Sequence, residues 1–133
     1  MLGTDCAAAL ALWRATEGIE IAEGDTEAQI CRYLERNPGL SRIVLHDGSL
    51  AGAVLCGHDG RRGLIYHLAV EKKLRGQGWG HRLARECLNG LRGTGIKRVL
   101  ALVDRSNPGG RKFWERQGFE EIEIATPMGR DLA

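Results

Sequence analysis

The run SRIVLHDGSLAGAVLCGHDGRRGLIYHLAV, residues 41–70, narrows the possible folds more than any other part of the chain. Residues 43–45, 50–56 and 63–70 are rich in β-branched and apolar side chains. Asp47-Gly48 separates the first two runs, and GHDGRRG separates the second from the third. Asp-Gly is a strong hairpin signal, because both central positions of such a turn require positive φ. Three short runs joined by two tight turns predict an antiparallel meander. Downstream, Leu83, Cys87 and Leu91 fall at helical spacing, and residues 96–104 (IKRVLALVD) read as a nearly continuous apolar strand. Unbroken apolarity suits a parallel strand covered on both faces. The third meander strand, the helix and residues 96–104 therefore predict a right-handed β-α-β crossover. The fold class is α/β in the broad sense, an α+β arrangement around a mixed sheet.

The flanks complete the pattern. Asp5 is placed to cap a helix through CAAALALWRAT, and Asp25 or Thr26 to cap a second through TEAQICRYLERN, stopped by Asn37-Pro38-Gly39. NPGGRKFWERQ reads as a helix with Pro108 in its first turn and Gly118 beyond its end. Phe119, Ile122 and Ile124 alternate with polar residues and predict a final strand. At 133 residues the expectation is one domain, 1–133.

Composition removes several classes of function. No window approaches 18 uninterrupted apolar residues, so no membrane partner is expected. The N-terminus lacks a basic region ahead of its apolar stretch and reads poorly as a signal peptide, which gives a cytoplasmic expectation. Cys6, Cys31, Cys56 and Cys87 are widely spaced with no C-x-x-C pair, so neither a metal site nor a disulfide framework is expected. Residues 1–60 carry net charge −5 and residues 61–133 carry +7. A basic half suggests a phosphate-bearing partner. No aromatic-rich RNA-binding strand or zinc-finger pattern accompanies the charge, so a small polyphosphate fits better than nucleic acid.

The candidate phosphate site is LRGQGWGHRL, residues 74–83. A P-loop requires G-x-x-x-x-G-K-[ST], and the dinucleotide fingerprint requires G-x-G-x-x-G. Gly76, Gly78 and Gly80 match neither spacing. What remains is a strand, a turn bearing Arg75, and bare amides at a helix N-terminus, a combination suited to an anion. A plain glycine turn with a solvated arginine is the other reading.

The two segments R-G-Q-G-W-G (75–80) and N-x-x-G-x-x-F-W-x-x-x-G-F (107–119) together resemble the landmarks of the GNAT superfamily, the Gcn5-related N-acetyltransferases, most of all its small stand-alone bacterial members. The resemblance implies a GNAT-like fold in which the parallel strands 64–70 and 96–104 splay apart around acetyl-CoA. It implies that backbone groups of Leu68, Ala69 and Val70 pair with the pantetheine arm. The amides of Arg75, Gly76, Gln77, Gly78, Trp79 and Gly80 would hold the pyrophosphate. Asn107 would contact the pantetheine region, and Phe113 and Trp114 would flank the thioester. The implied reaction moves an acetyl group from acetyl-CoA to a primary amine by direct attack in a ternary complex.

The sequence departs from the family at three places. Trp114 stands where a tyrosine often serves as general acid, and indole delivers no proton at neutral pH. Leu64 stands where a glutamate sometimes serves as base. Only residues 1–4 precede the first helix, so the family's first strand is missing or very short, which leaves a sheet edge that favours a homodimer. His67 is the candidate base by its chemistry, and Tyr66 the candidate acid. Adjacent strand residues face opposite sides of a sheet, so only one of the two reaches the cleft unless a bulge intervenes. A non-catalytic acyl-CoA-binding protein is the alternative. Glu17, Glu20, Glu23, Asp25 and Glu27, with no Lys or Arg between Ala15 and Cys31, would draw a cationic acceptor or form a solvated loop.

Overall fold

The computed structural model describes residues 1–132. Helices α1 (Cys6–Arg14) and α2 (Glu27–Arg36) come first. Strands β1 (Arg42–His46), β2 (Ser49–His58) and β3 (Gly63–Val70) follow, then α3 (Trp79–Gly93), β4 (Val99–Ala101) and α4 (Pro108–Arg116). The sheet order is β1-β2-β3-β4. The first two pairings are antiparallel, and β3 with β4 is parallel. The meander and the crossover are thus both present, in the expected order.

The sheet separates two cores. On one face Val54, Cys56, Ile65 and Val70 meet Leu83, Cys87 and Leu91 of α3. On the other Ala53, Leu55 and Ala69 meet Leu10 and Trp13 of α1 and Ile30 and Leu34 of α2. Burial on both faces explains why β2 reads as a continuous apolar run rather than an alternating one.

The α2 start follows its capping box. Thr26 Oγ1 accepts from Gln29 N at 3.2 Å, and Gln29 Oε1 accepts from Thr26 N at 3.2 Å. Because Thr26 does this work, Asp25 is left free. Asp5 does not cap α1 as expected. Its carboxylate accepts from Leu2 N at 2.7 Å and closes a short turn over Gly3–Asp5 instead.

Two strands are shorter than the sequence implies. Residues 96–104 yield only the three residues of β4, paired Gly63↔Val99, Leu64↔Leu100 and Ile65↔Ala101. Beyond Ile65 the two strands part, and Leu102 is 67% exposed. Residues 119–124 form no strand. Phe119 packs edge-on against Trp114 at 4.9 Å, but Ile124 is fully exposed. Alternation supplies a face and not a partner, and strand stability comes from pairing.

The cysteines are not scattered as their spacing suggested. The Cys31 and Cys6 sulfurs lie 2.8 Å apart between α2 and α1. Across the β2–α3 core, Cys56 Sγ donates to Cys87 O at 3.9 Å, and Cys87 Sγ donates to Leu40 O at 3.8 Å.

One tight approach fixes how α2 sits on the sheet. A Cβ at Gly57 would collide with the Tyr33 hydroxyl and lie 2.6 Å from Asn37 Cγ. Overpacking of this kind costs about 1–3 kcal/mol. We expect Gly57→Ala to lower Tm by several degrees, measured by thermal denaturation; an unchanged Tm would show that α2 is free to shift.

Candidate functional site

The sheet opens at one residue. Ala53 and Leu55 of β2 are two positions apart, yet their partners on β3, Ala69 and Tyr66, are three apart. One residue is therefore extra on β3, which makes a β-bulge. His67 lies within it, at φ 54°. Ile65, Leu68 and Val70 pack toward α3, whereas Tyr66 and Ala69 pack toward α1 and α2. Strict alternation would have sent Leu68 to the α1–α2 side, so the bulge shifts the face pattern by one residue.

Consecutive residues Tyr66 and His67 consequently share a side. Their ring centroids are 6.3 Å apart, and both line a cavity of about 1020 Å³. The His67 ring also lies 5.3 Å from Trp13 of α1. Its Nε2 is 3.0 Å from Asp25 Oδ1, with the two side chains only 16% and 14% exposed. The other Asp25 oxygen accepts from Ala22 N at 3.1 Å. One carboxylate thus joins the acidic linker to the bulge. Asp25 was part of a charge run in the sequence, and nothing in its spacing marked it as a partner for a residue 42 positions away.

A carboxylate only accepts, so the proton on this hydrogen bond belongs to His67 Nε2. Nδ1 then carries the lone pair. Burial, with the Asp25 charge adding to it, holds the Tyr66 phenol above its ordinary pKa. It therefore stays protonated at neutral pH.

The linker residues Gly18, Glu20, Glu23 and Asp25 form one wall of the cavity. Arg32 and Arg36 of α2 also line it. The wall is therefore mixed in charge, not uniformly acidic. Asn107, Phe113 and Trp114 also line the cavity. Asn107 Oδ1 accepts from Gly110 N at 2.9 Å and caps α4. A Cβ at Gly18 would lie 2.7 Å from Asn107 Nδ2, so the linker and the α4 start are in close contact. Trp114 stacks edge-to-face with Phe113 at 5.1 Å and with Phe119 at 4.9 Å, and this packing is its visible role. Ser106 donates to Asp104 within its own turn at 2.6 Å.

The glycine stretch lies at the α3 start. Arg75 Nε donates to Val70 O at 2.9 Å, which pins the turn to the end of β3. Gly76 and Gly78 take φ of 77° and 85°, and Gly78 is the helix N-cap. Only glycine adopts such angles without strain. Among the described residues, no backbone N–H from position 76 to 81 finds a partner within the chain, and no side chain caps Gly78. The first intrahelical bond is from Arg82 N to Gly78 O. Trp79 lies over the following turn, with the Arg82 guanidinium 5.6 Å from its ring. Leu68, Ala69 and Val70 run along β3 where β4 no longer pairs with it.

A mixed sheet opened between parallel strands, with free helix-start amides beside the opening, is the architecture of an acyl-CoA-type transferase. Residues 7–119 match the Acetyltransferase (GNAT) family, and the chain belongs to it. An acetyltransferase of Pectobacterium atrosepticum is 27% identical over 96% of this chain and 89% of its own length. An acetyltransferase from Streptococcus agalactiae superposes with TM-score 0.76 at 20% identity, over 96% of this chain and 84% of its own. A Mycobacterium tuberculosis protein, solved in complex with CoA and NLQ, gives TM-score 0.73 at 23% identity, over 96% of this chain and 72% of its own.

The His67–Asp25 geometry has a spectroscopic consequence. Nitrogen-15 NMR should show neutral His67 with its proton on Nε2. In Asp25→Asn the amide can donate instead, so the proton should move to Nδ1. An unchanged tautomer in that variant would show that Asp25 does not orient the ring.

Proposed function

We propose that this chain is an N-acetyltransferase that transfers the acetyl group of acetyl-CoA to a primary amine within a ternary complex. One observation carries the reading: the free amides of residues 76–81 follow in the chain from the part of β3 that β4 leaves unpaired, and the same strand carries Tyr66 and His67 into the cavity. Family membership supports acyl transfer, and the CoA bound by the Mycobacterium tuberculosis neighbour supports the choice of donor.

The residues fit such a donor. Residues 76–81 offer a row of N–H groups at a helix N-terminus, with open space where side chains at Gly76 and Gly78 would stand. That suits a pyrophosphate. Leu68, Ala69 and Val70 offer strand edge to the pantetheine arm, and Asn107, Phe113 and Trp114 wall its inner end. Acetyl-CoA, when bound, supplies an activated thioester carbonyl. A backbone N–H near Ala69 or Val70 aimed at that carbonyl contributes a few kcal/mol to the barrier reduction.

The protein's own proton handling follows from the pair at the bulge. An amine attacks only when neutral. His67 Nδ1, with its lone pair free, takes the proton from the acceptor. Tyr66, kept protonated by burial, delivers one to the departing sulfur. Positioned acid–base groups contribute typically ~10²–10⁴-fold. Trp114 has no part in proton transfer in this scheme. The acceptor enters beside the linker, where Glu20, Glu23, Arg32 and Arg36 line the cavity.

Thermal-shift and calorimetric titration with acetyl-CoA and free CoA should show binding, and an amine panel should show acetyl transfer. Absence of stabilisation by any CoA species would sink the proposal. Binding without transfer to any amine would favour the non-catalytic reading. His67→Ala should lower kcat/KM by about 10²-fold or more while leaving the Kd for CoA within about twofold. Gly78→Val, strained at φ 85°, should instead weaken CoA binding severalfold with less effect on kcat at saturation. Equal kinetic losses in both variants would refute this division of labour.

A further inference from the structure

We propose that Cys6 and Cys31 form a reversible dithiol–disulfide pair that fastens α1 to α2 when the protein meets a peroxide. The two residues are 25 positions apart in sequence, on separate helices, and their sulfurs are already 2.8 Å apart. A disulfide needs about 2.05 Å, so roughly 0.8 Å of approach closes the bond. Side-chain rotation on two neighbouring helices supplies that without moving either backbone far. The proposal rests on the thiol geometry alone and does not depend on the acyl-transfer reading.

Exposure assigns the roles. Cys6 is fully buried, and Cys31 is half-buried at the surface of α2. Peroxide therefore meets Cys31 first. Its sulfur takes one oxygen from hydrogen peroxide, which leaves as water, and Cys31 becomes a sulfenic acid. The Cys6 sulfur then attacks the Cys31 sulfur, the S–S bond forms, and the sulfenic hydroxyl departs with the Cys6 proton as a second water. Two thiols are oxidised and one peroxide is reduced to two waters. Burial, with the hydrogen bond of the Cys6 thiol to Cys31 next in importance, pushes the Cys6 thiol up to about 12. The second step is accordingly slow, on the order of minutes to hours. Cys56 and Cys87 form the internal contrast. They are also paired, but both are fully buried behind β2 and α3, out of reach of the oxidant.

The bond has a structural consequence. It closes a loop containing residues 18–25, the cavity wall that ends at Asp25. It also ties together the helix that carries Trp13 and the helix that starts beside Asp25, the two neighbours of His67. Closing a loop of this length stabilises mainly by restricting the unfolded chain.

The test oxidises reduced protein with hydrogen peroxide, blocks remaining thiols with N-ethylmaleimide under denaturing conditions, and maps peptides by mass spectrometry. We expect a Cys6–Cys31 linked peptide, a fall from four free thiols to two, and a Tm increase of about 10 °C, all reversed by dithiothreitol. Cys31→Ser, altering a half-exposed position, should fold normally and show neither link nor Tm increase. Any of three results overturns the proposal: an intermolecular Cys31 link, sulfinic acid at Cys31 with Cys6 still free, or the expected link with no gain in Tm.

Discussion

The single extra residue in β3 is the constraint from which the rest of the site follows. A strand that alternates strictly sends neighbours to opposite faces. With one residue added between the Tyr66↔Leu55 and Ala69↔Ala53 pairs, the strand turns out of phase with itself. Three consequences share that origin. Tyr66 and His67 come to one side of the sheet. Leu68 is passed to the α3 side. And β3 leaves the line of β4 immediately after Ile65, so the parallel pair opens. His67 takes up the distortion in a left-handed backbone conformation that costs a non-glycine residue about 1–2 kcal/mol. The Asp25 hydrogen bond and the Trp13 ring contact help to offset it.

The linker between α1 and α2 is more than a connection. Thr26 and Gln29 satisfy the α2 start by themselves, so Asp25, one residue earlier, has no capping duty. Its carboxylate is held by Ala22 N on one side and by His67 on the other. Gly18, at the other end of the same segment, abuts Asn107 at the α4 start. The wall of the cavity is therefore anchored at both ends, once to the bulge and once to the helix beyond β4. A ligand entering between these anchors meets a surface held by hydrogen bonds and close packing.

Much of the fold was legible because it is written in local signals. Paired glycine turns gave the meander, helical spacing of Leu83, Cys87 and Leu91 gave α3, and Asn107-Pro108 gave the α4 start. The free helix-start amides and the positive φ of Gly76 and Gly78 were legible for the same reason, since both are local properties. The misses concern partners. Residues 96–104 and 119–124 have strand-like patterns, but strand formation depends on a neighbour that the pattern does not specify. Tyr66 and His67 were expected on opposite faces unless a bulge intervenes, and the bulge is what the structure contains, although no turn residue announces it. Asp25 and the Cys6–Cys31 contact were hidden likewise, since each depends on how two distant segments meet. Trp114 packs edge-to-face with Phe113 and Phe119, contacts that an aromatic cluster on one helix and just past its end makes local.

These differences suggest how the proposed chemistry is divided within the chain. Anion holding and donor alignment draw on backbone groups, those of residues 76–81 and of the open β3 edge, and tolerate many side chains provided φ is permitted. Proton transfer draws on side chains whose positions depend on the bulge and the linker. In the proposed scheme, the tryptophan at position 114, where the family resemblance implies a tyrosine, bears on the second set by leaving α4 without an acid there. Trp114 itself packs against Phe113 and Phe119. The proposed acid, Tyr66, stands beside the proposed base, His67, because the bulge brings both to the same side. One backbone irregularity thus serves both halves of the proposed scheme: the extra residue in β3 lies where β3 parts from β4, and it gathers Tyr66 and His67 on one side.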